Sequence, residues 1–420
     1  MKNYNNILSR LDFSVSAEEM RVMQRKTQEI VGEIKEKLKK LRIMGDVFVG
    51  GSFAKDTMTS GKEYDVDIFV RFDLKYEKAL SDDLEKLIKK LKMKYERIHG
   101  SRDYYRINEK NLTFEIIPVL DIKKPREAKN VTDLSYFHVK YIKNKINEKL
   151  AREIRLMKIF CKAQGVYGAE SYIQGLSGYA IECLVIHYGS FMNLARKIVD
   201  EKEKIIIDDG KQYKNERYIL IELNESKLKS PIVLVDPTYK ERNVLAALSD
   251  ETFKILQNSL KNFLRNPSKK YFEKEELNEE KWISKAKSEN AVFRKIELET
   301  NRQAGDIAGS KLRKFSNFLI GEISEYFEIM ESNFVYNLDE KAYLYLIVEK
   351  RKEIVKRGPP MIMKKEVGRF KKINKKTFVK KGIIYSRQKI LFSFDAYIKS
   401  LRKKDEDKIR GMSITGIRIC

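Results

Sequence analysis

Cysteine is scarce in this sequence. The 420 residues include three cysteines, Cys161, Cys183 and Cys420, whose spacing matches neither a zinc site nor a disulfide framework. Long apolar runs are absent as well, since no stretch approaches the roughly 18 residues of a membrane span, and the first residues lack the charged-then-apolar pattern of a secretion signal. We therefore expect a soluble protein of a reducing, cytoplasmic compartment without a membrane partner.

Acidic residues are too few to balance the basic ones. The sequence has 86 Lys and Arg residues against 61 Asp and Glu residues, a formal net charge of +25. An excess of this size suggests a polyanionic partner such as nucleic acid. Because the chain is also rich in Lys, Ile, Asn and Tyr, as AT-biased genomes encode, part of the charge can be compositional drift, and charge alone does not identify the partner.

The most informative stretch covers residues 48–72. Its pattern predicts a strand, a Gly50-Gly51-Ser52 turn, a short helix, and a second strand that carries Asp65 and Asp67. Because the side chains of a strand alternate between its two faces, both aspartates point to one side while their apolar neighbours point into a core. The sequence therefore predicts a pair of carboxylates one strand away from a glycine-rich turn.

This pair of motifs suggests a particular chemistry. Two adjacent carboxylates repel each other unless a cation lies between them, and Mg²⁺ favours oxygen ligands. The backbone N–H groups of a glycine-rich turn that opens a helix suit a phosphate. Each motif alone has a simpler interpretation, as an ordinary turn or as the solvated face of an edge strand, but their spacing favours a site for nucleotidyl transfer.

The pattern resembles the DNA polymerase β-like nucleotidyltransferase superfamily, in which a Gly-Ser turn precedes Asp/Glu-x-Asp/Glu. Downstream, residues 104–107 and 112–119 alternate as a hairpin, and the second strand contains Glu115 among apolar residues. A charge there is costly unless it is paired or bound to metal, although an edge position that faces water is an alternative. Palms of this superfamily take a third carboxylate from such a neighbouring strand.

Periodicity also predicts the surrounding elements. Residues 16–41 form an amphipathic helix whose start carries a Ser16–Glu19 capping box. Residues 128–145 are polar and predict a connection that leaves the catalytic domain. A short strand is predicted at residues 218–223, and a charged surface helix or linker at 265–290.

The C-terminal third predicts a small α+β unit with one antiparallel sheet. The expected elements are a strand at 291–298, a helix at 311–330, and strands at 342–350 and 378–386. Residues 361–404 contain 15 basic and 2 acidic residues with aromatic residues between them. Such a surface suits an RNA backbone, with core aromatics and merely solvated lysines as the alternative.

Three further blocks make the resemblance narrower. They consist of residues 155–158 with 165–168, residues 174–179 with 187–191, and residues 235–237 with 242–244. Together with the turn and the Asp-x-Asp strand, they resemble the archaeal, class I CCA-adding enzymes. The resemblance implies an α+β multidomain fold with a polymerase β-like palm, a helical neck, and a mixed α/β body and tail. The expected domains are a catalytic head at 1–146, a neck at 147–264, a linker at 265–290, and a tRNA-binding body and tail at 291–420.

The resemblance also implies a role for each matching residue. Asp65, Asp67 and Glu115 would be the catalytic carboxylates that bind Mg²⁺. The nucleotide-binding set would comprise residues of the turn, the triphosphate and ribose pocket, and the base contact: Gly51, Ser52, Lys55, His138, Lys158, Tyr167 and Arg242.

The sequence departs from the usual pattern of these relatives at two places. The carboxylate order is Asp-x-Asp with Glu115 downstream, where relatives usually have Glu-x-Asp with a downstream Asp. Lys55 stands where relatives usually carry an arginine, so the charge is kept but the bidentate fork is lost.

The implied activity is template-independent addition of C, C and A to the 3′ end of tRNA. CTP and ATP would be the substrates of a two-metal transfer that releases pyrophosphate, and tRNA would be bound at its acceptor stem, elbow and 3′ end. The alternatives are another nucleotidyltransferase, such as a poly(A) polymerase or an enzyme that adds only A or only C, and a non-catalytic RNA-binding protein on the same fold. The oligomeric state stays open, with a homodimer as one option.

Overall fold

The computed structural model describes residues 4–420. The chain divides into two compact units, Met1–Glu275 and Glu276–Cys420, and the boundary lies inside the predicted linker. The finer division of the first unit into a head and a neck at residue 146 stays a prediction. Across residues 4–420, no helix has the length and apolar character needed to cross a membrane.

The N-terminal part of the first unit contains a five-stranded sheet. Its helices are α1 (Tyr4–Ser9), α2 (Ala17–Lys40), α3 (Gly51–Ala54), α4 (Leu80–Ile88) and α5 (Ser135–Lys145), and its strands are β1 (Gly45–Val49), β2 (Tyr64–Phe72), β3 (Glu96–Ile98), β4 (Tyr104–Glu109) and β5 (Leu112–Leu120). The strand order is β1-β2-β5-β4-β3. Strands β2 and β5 are parallel, whereas the other neighbours are antiparallel.

Helices α2 and α4 cover one face of this sheet. Ile34 of α2 and Leu84 of α4 share a core with Val66 and Ile68 of β2, and all four are fully buried. The predicted capping box is present, because the Ser16 side chain accepts a hydrogen bond from the backbone of the third helical residue. The alternation of β2 therefore leaves its aspartates on the face of the sheet that α2 and α4 do not cover.

The rest of the first unit is mainly helical. It consists of α6 (Glu148–Ala163), α7 (Gly178–Tyr188), α8 (Phe191–Asp200), α9 (Glu216–Glu222), α10 (Glu225–Leu228) and α11 (Asp250–Arg265), with strands β6 (Ile205–Ile207), β7 (Ile232–Asp236) and β8 (Tyr239–Asn243). Helices α6, α8 and α11 share a second core around Phe160, Phe191 and Phe263. Every residue of β7 is buried, so its last residue, Asp236, ends inside the protein.

The second unit contains two antiparallel sheets rather than the single sheet that was expected. Its helices are α12 (Glu279–Ser288), α13 (Asp306–Ser324), α14 (Lys364–Ile373), α15 (Phe394–Lys404) and α16 (Glu406–Gly411), and its strands are β9 (Val292–Thr300), β10 (Phe327–Tyr336), β11 (Lys341–Lys350), β12 (Glu353–Pro360), β13 (Thr377–Lys380), β14 (Ile383–Lys389) and β15 (Ile414–Ile419). One sheet has the order β10-β11-β9-β15 and the other β12-β14-β13. The predicted strand at 378–386 is a hairpin, because Lys381 and Gly382 adopt φ angles of 47° and 73° and turn the chain.

Two sequence predictions on secondary structure were wrong, and for a third segment no element type was predicted. That segment, the polar connection at 128–145, is largely the helix α5, in which His138 and Ile142 are buried. The strand at 218–223 is the helix α9, because Asn215 caps its N-terminus and Ile219 and Leu223, four residues apart, face one small core. The helix at 311–330 ends at Ser324, and its last predicted residues begin the strand β10.

Candidate active site

The Gly50-Gly51-Ser52 turn packs directly on the carboxylate of Asp67. Gly50 N donates a hydrogen bond to the backbone oxygen of Asp67 at 2.8 Å. Gly51 has a φ of +61°, and a Cβ at this position would lie 1.7 Å from Asp67 Oδ2. Glycine is therefore required here both for the backbone conformation and for the close approach.

Three carboxylates lie on neighbouring strands, on the sheet face that α2 and α4 do not cover. Asp65 and Asp67 are two residues apart on β2, and the parallel register of β2 and β5 sets Asp67 opposite Glu115. Glu115 is also opposite Arg106 of β4, whose Nη2 donates to Glu115 Oε1 at 2.9 Å. The structure thus brings the three predicted carboxylates onto adjacent strands and adds a cation that sequence reasoning missed.

The surroundings of Asp65 and Asp67 disfavour the ionised form of both carboxylates. Desolvation, followed by repulsion from Glu115, raises the pKa of Asp67 to about 7, against a weaker opposing effect of Lys55. Desolvation also raises the pKa of Asp65, although Arg106 and Lys162 oppose the shift. Carboxylate oxygens under such repulsion are suitable ligands for a hard divalent cation.

The side chains of Asp65, Asp67 and Glu115 do not surround a common point. In the part of the chain that the structure describes, no three His, Cys, Asp or Glu side chains are grouped closely enough to hold a metal ion. The ion pair between Glu115 and Arg106 is consistent with this finding, because it directs one oxygen of Glu115 toward β4. The donor chemistry fits a divalent cation, whereas the assignment of Glu115 as a ligand stays a prediction.

A buried cluster of charges lies next to the turn, since Thr57 N donates to the Ser52 carbonyl. Glu182 of α7 is fully buried and accepts from Lys55 Nζ at 2.6 Å and from Lys158 Nζ at 2.8 Å. Thr57 Oγ1 donates to the same carboxylate at 2.6 Å. We call Lys55, Thr57, Lys158 and Glu182 the Glu182 cluster. Its two predicted nucleotide-binding lysines are thus held by an acid that the sequence analysis did not single out.

A second buried carboxylate is that of Asp236, at the end of β7. It forms hydrogen bonds with side chains that were predicted to contact the base and to line the triphosphate and ribose pocket. His138 Nε2 donates to Asp236 Oδ2 at 2.9 Å, and Arg242 Nη1 donates to the same oxygen at 2.7 Å. Tyr179 OH donates to Asp236 Oδ1 at 3.1 Å, and the His138 ring stacks on the Tyr179 ring with centroids 4.0 Å apart. These cationic and hydrogen-bonding partners hold the pKa of Asp236 well below its ordinary value despite burial.

Tyr167 and Ser52 complete the predicted set. Tyr167 lies beside the start of α7, because a Cβ on Gly178 would come within 2.9 Å of its hydroxyl and 3.7 Å of Lys158 Cε. The carbonyl of Ser52 accepts a hydrogen bond from Thr57 N at 3.0 Å. This bond connects the turn to the Glu182 cluster, of which Thr57 is a member. The geometry brings the predicted residues into neighbouring groups, while their contacts with a nucleotide stay predictions.

Sequence reasoning missed Arg106, Glu182 and the hub role of Asp236. Glu182 carried a detectable signal, because it is an acid within the otherwise apolar start of α7. The same argument had selected Glu115. Asp236 carried a similar signal, because it ends the apolar strand β7. Arg106 carried none, since its importance comes from Glu115 on the neighbouring strand.

Two family models match the first unit of the chain. The family described as "Nucleotidyltransferase domain" matches residues 29–157, which contain the sheet, the turn and the three carboxylates. The family described as "tRNA nucleotidyltransferase, second domain" matches residues 152–273, which contain Glu182 and Asp236. The fold and the site thus define a nucleotidyltransferase with a polymerase β-like palm, and the predicted fold class is confirmed.

The curated relatives narrow this class. The chain is 30% identical over 384 residues to the CCA-adding enzyme of Methanocaldococcus jannaschii, an alignment that covers 87% of this chain and 82% of the relative. It is 44% identical over 212 residues to the CCA-adding enzyme of Nanoarchaeum equitans, where the alignment spans 50% of this chain and about half of the relative, 53%. The chain belongs to the family of CCA-adding enzymes, which are tRNA nucleotidyltransferases that work without a nucleic-acid template and use divalent metal ions. The predicted family and enzyme class are confirmed.

A solved structure of an RNA terminal U-transferase is also similar. It has a TM-score of 0.47 and 13% sequence identity, and the match covers 65% of this chain and 96% of that chain.

Proposed function

We propose that this chain adds all three nucleotides, C, C and A, to the 3′ end of tRNA in the cytoplasm, with CTP, ATP and Mg²⁺. The observation that carries the proposal is the contact between the Gly51 turn and the Asp67 carboxylate, with Asp67 opposite Glu115 in the sheet. This contact joins a phosphate-binding turn to a metal-binding acid, as transfer of a nucleotidyl group requires.

The carboxylates would hold the metal. Asp65 and Asp67 are the best candidates, since β2 presents both on the same face, and Glu115 would join them on release from Arg106. Bound Mg²⁺ would lower the pKa of the tRNA 3′-hydroxyl and offset charge on the triphosphate and on the leaving pyrophosphate.

The basic residues would orient the nucleotide. The N–H groups of the Gly51-Ser52 turn would donate to phosphate oxygens, and the ammonium group of Lys55 would add a positive charge beside the carboxylates. Arg242, fixed by Asp236, would use its remaining N–H groups on the edge of the incoming base. His138 and Tyr167 would line the ribose and triphosphate pocket.

Single-nucleotide incorporation tests the proposal. Labelled CTP or ATP is offered with Mg²⁺ to tRNAs that end before CCA, after C, and after CC. We expect CMP on the first two substrates and AMP only on the third. Addition of C alone or A alone would assign the chain to a split CCA pathway, repeated ATP addition to any RNA would make it a poly(A)-type enzyme, and tRNA binding without incorporation would contradict an enzymatic role.

A further inference from the structure

The Glu182 cluster contains two lysines and one acid in a buried environment. Lys55 and Lys158 expose 8% and 3% of their side chains, and the side chain of Glu182 is fully buried. With both lysines protonated, the cluster therefore carries a surplus of one positive charge. A buried surplus charge is unfavourable unless an anion approaches it.

The hydrogen bonds of the two lysines differ. Lys158 donates to Glu182 Oε1, to Thr57 Oγ1 at 2.9 Å and to the Thr57 carbonyl at 3.2 Å, so all three of its N–H groups have acceptors. Lys55, within residues 4–420, donates to Glu182 alone. The surplus charge is thus presented by Lys55, which follows the Gly51-Ser52 turn and is close enough to Asp67 to lower its pKa.

We infer that Glu182 is a positioning residue for the nucleotide triphosphate, which holds Lys55 against the turn and cancels one of the two buried lysine charges. The inference rests on the proposed function for the identity of the ligand. Glu182 does not touch the triphosphate in this arrangement. Its effect is exerted through Lys55, while Lys158 determines how much positive charge remains.

The proton on Lys158 then controls the net charge of the cluster. Desolvation lowers the pKa of Lys158 to about 8. The attraction of Glu182 opposes this shift, whereas repulsion from Lys55 and Lys162, the other charged groups that face Lys158, adds to it. When Lys158 loses its proton, the remaining charges of Lys55 and Glu182 cancel. The affinity for a triphosphate should therefore fall as the pH rises through about 8.

Replacement of Glu182 by glutamine should change this pH dependence. Glu182→Gln keeps the volume but removes the charge that keeps Lys158 protonated, so Lys158 should become neutral at lower pH. Between pH 7 and 9 the proton on Lys158 would then no longer change the charge of the variant's cluster. We expect the parent's affinity to fall about ten-fold more than that of the variant over this range, as one group with a pKa near 8 would produce, because the titration of Asp67 affects both proteins alike.

The experiment is calorimetric titration of the full chain with inorganic triphosphate at pH 6 to 9, without divalent metal. Protonation of the probe itself is the same for every protein and cancels in the comparison. Asp133→Asn is the matched control, because Asp133 is also a fully buried acid, paired with Arg102 away from the cluster. It should lose stability but keep the pH profile of the parent.

A second variant serves if Glu182→Gln does not fold. Thr57→Val removes one acceptor of Lys158 and keeps every charge, so the slope should persist with its midpoint moved to lower pH. An unchanged slope in Glu182→Gln, or an unmoved midpoint in Thr57→Val, would overturn the inference. Binding is measured without turnover, so a parent that binds triphosphate with this slope but incorporates no nucleotide would refute the proposed function alone.

Discussion

Replacement of Gly51 by alanine tests the contact on which the site is built. The new Cβ would lie 1.7 Å from Asp67 Oδ2, whereas carbon and oxygen atoms at contact need about 3.3 Å. The turn or the carboxylate must therefore move by about 1.5 Å, and misplacement on the order of an ångström costs about 100-fold in rate. The positive φ of 61° adds about 1 kcal/mol of instability, which is small beside the catalytic effect.

Gly189 provides the matched control. It also has a positive φ, 76°, but a Cβ there meets no atom within 4 Å. Gly189→Ala should lose a similar amount of stability and keep its activity. Single-turnover incorporation of labelled CMP, together with thermal melting of both variants, separates the two effects. The reasoning fails if Gly51→Ala keeps activity within about three-fold of the parent, or if Gly189→Ala loses as much activity.

Four other substitutions give three further predictions. Asp65→Ala or Asp67→Ala should abolish incorporation and leave the tRNA dissociation constant nearly unchanged in a filter-binding assay, because these acids would hold metal rather than RNA; retained turnover would contradict the metal assignment. Asp236→Asn should destabilise the chain by about 3 kcal/mol at pH 7 in denaturant titrations. Because the folded pKa of Asp236 lies below its ordinary value, this difference should be complete above about pH 5 and shrink as the pH falls below about 4; a constant difference would refute the pairing. Arg242→Lys keeps the charge but loses the fork, so the KM for CTP and ATP should rise about ten-fold while inorganic triphosphate binds as before; equal losses for both ligands would argue against a base contact.

The sheet and its turn were predictable because their signals are local. The capping box before α2 needs two residues, Ser16 and Glu19, and the alternation of β2 needs a single strand. The strand pattern of β2 is compatible with one orientation, since a shift of one residue would turn the aspartates into the core. The same reasoning gave the carboxylate pair, although it could not give the distances between strands.

Helix α9 illustrates where local patterns are ambiguous. The segment 218–223 is short and rich in residues that favour strands, so its composition suits β-structure. The structure instead starts a helix one turn earlier, where Asn215 accepts a hydrogen bond from Tyr218 N. The deciding interaction thus lies outside the segment whose pattern was used for the prediction.

The charge clusters were not predictable for a different reason. Lys55 and Glu182 are separated by 127 positions along the chain, and His138 and Asp236 by 98. An isolated acid in an apolar helix signals that a partner exists, because an unpaired buried charge is too costly. The acid alone does not show which of the 86 basic residues is its partner. The partner is determined by the folded chain.

The carboxylates of the first unit differ in how their charge is compensated. Both Glu182 and Asp67 are desolvated, yet two ammonium groups hold the pKa of Glu182 at about 2, whereas that of Asp67 rises to about 7. Burial alone would raise both, so the difference comes from the neighbouring charges. The chain pairs the Glu182 carboxylate with two cations, whereas it sets Asp67 beside Glu115 and Asp65, whose repulsion Lys55 only partly offsets. This uneven compensation supports the proposal that a cation from solution completes the site at Asp67.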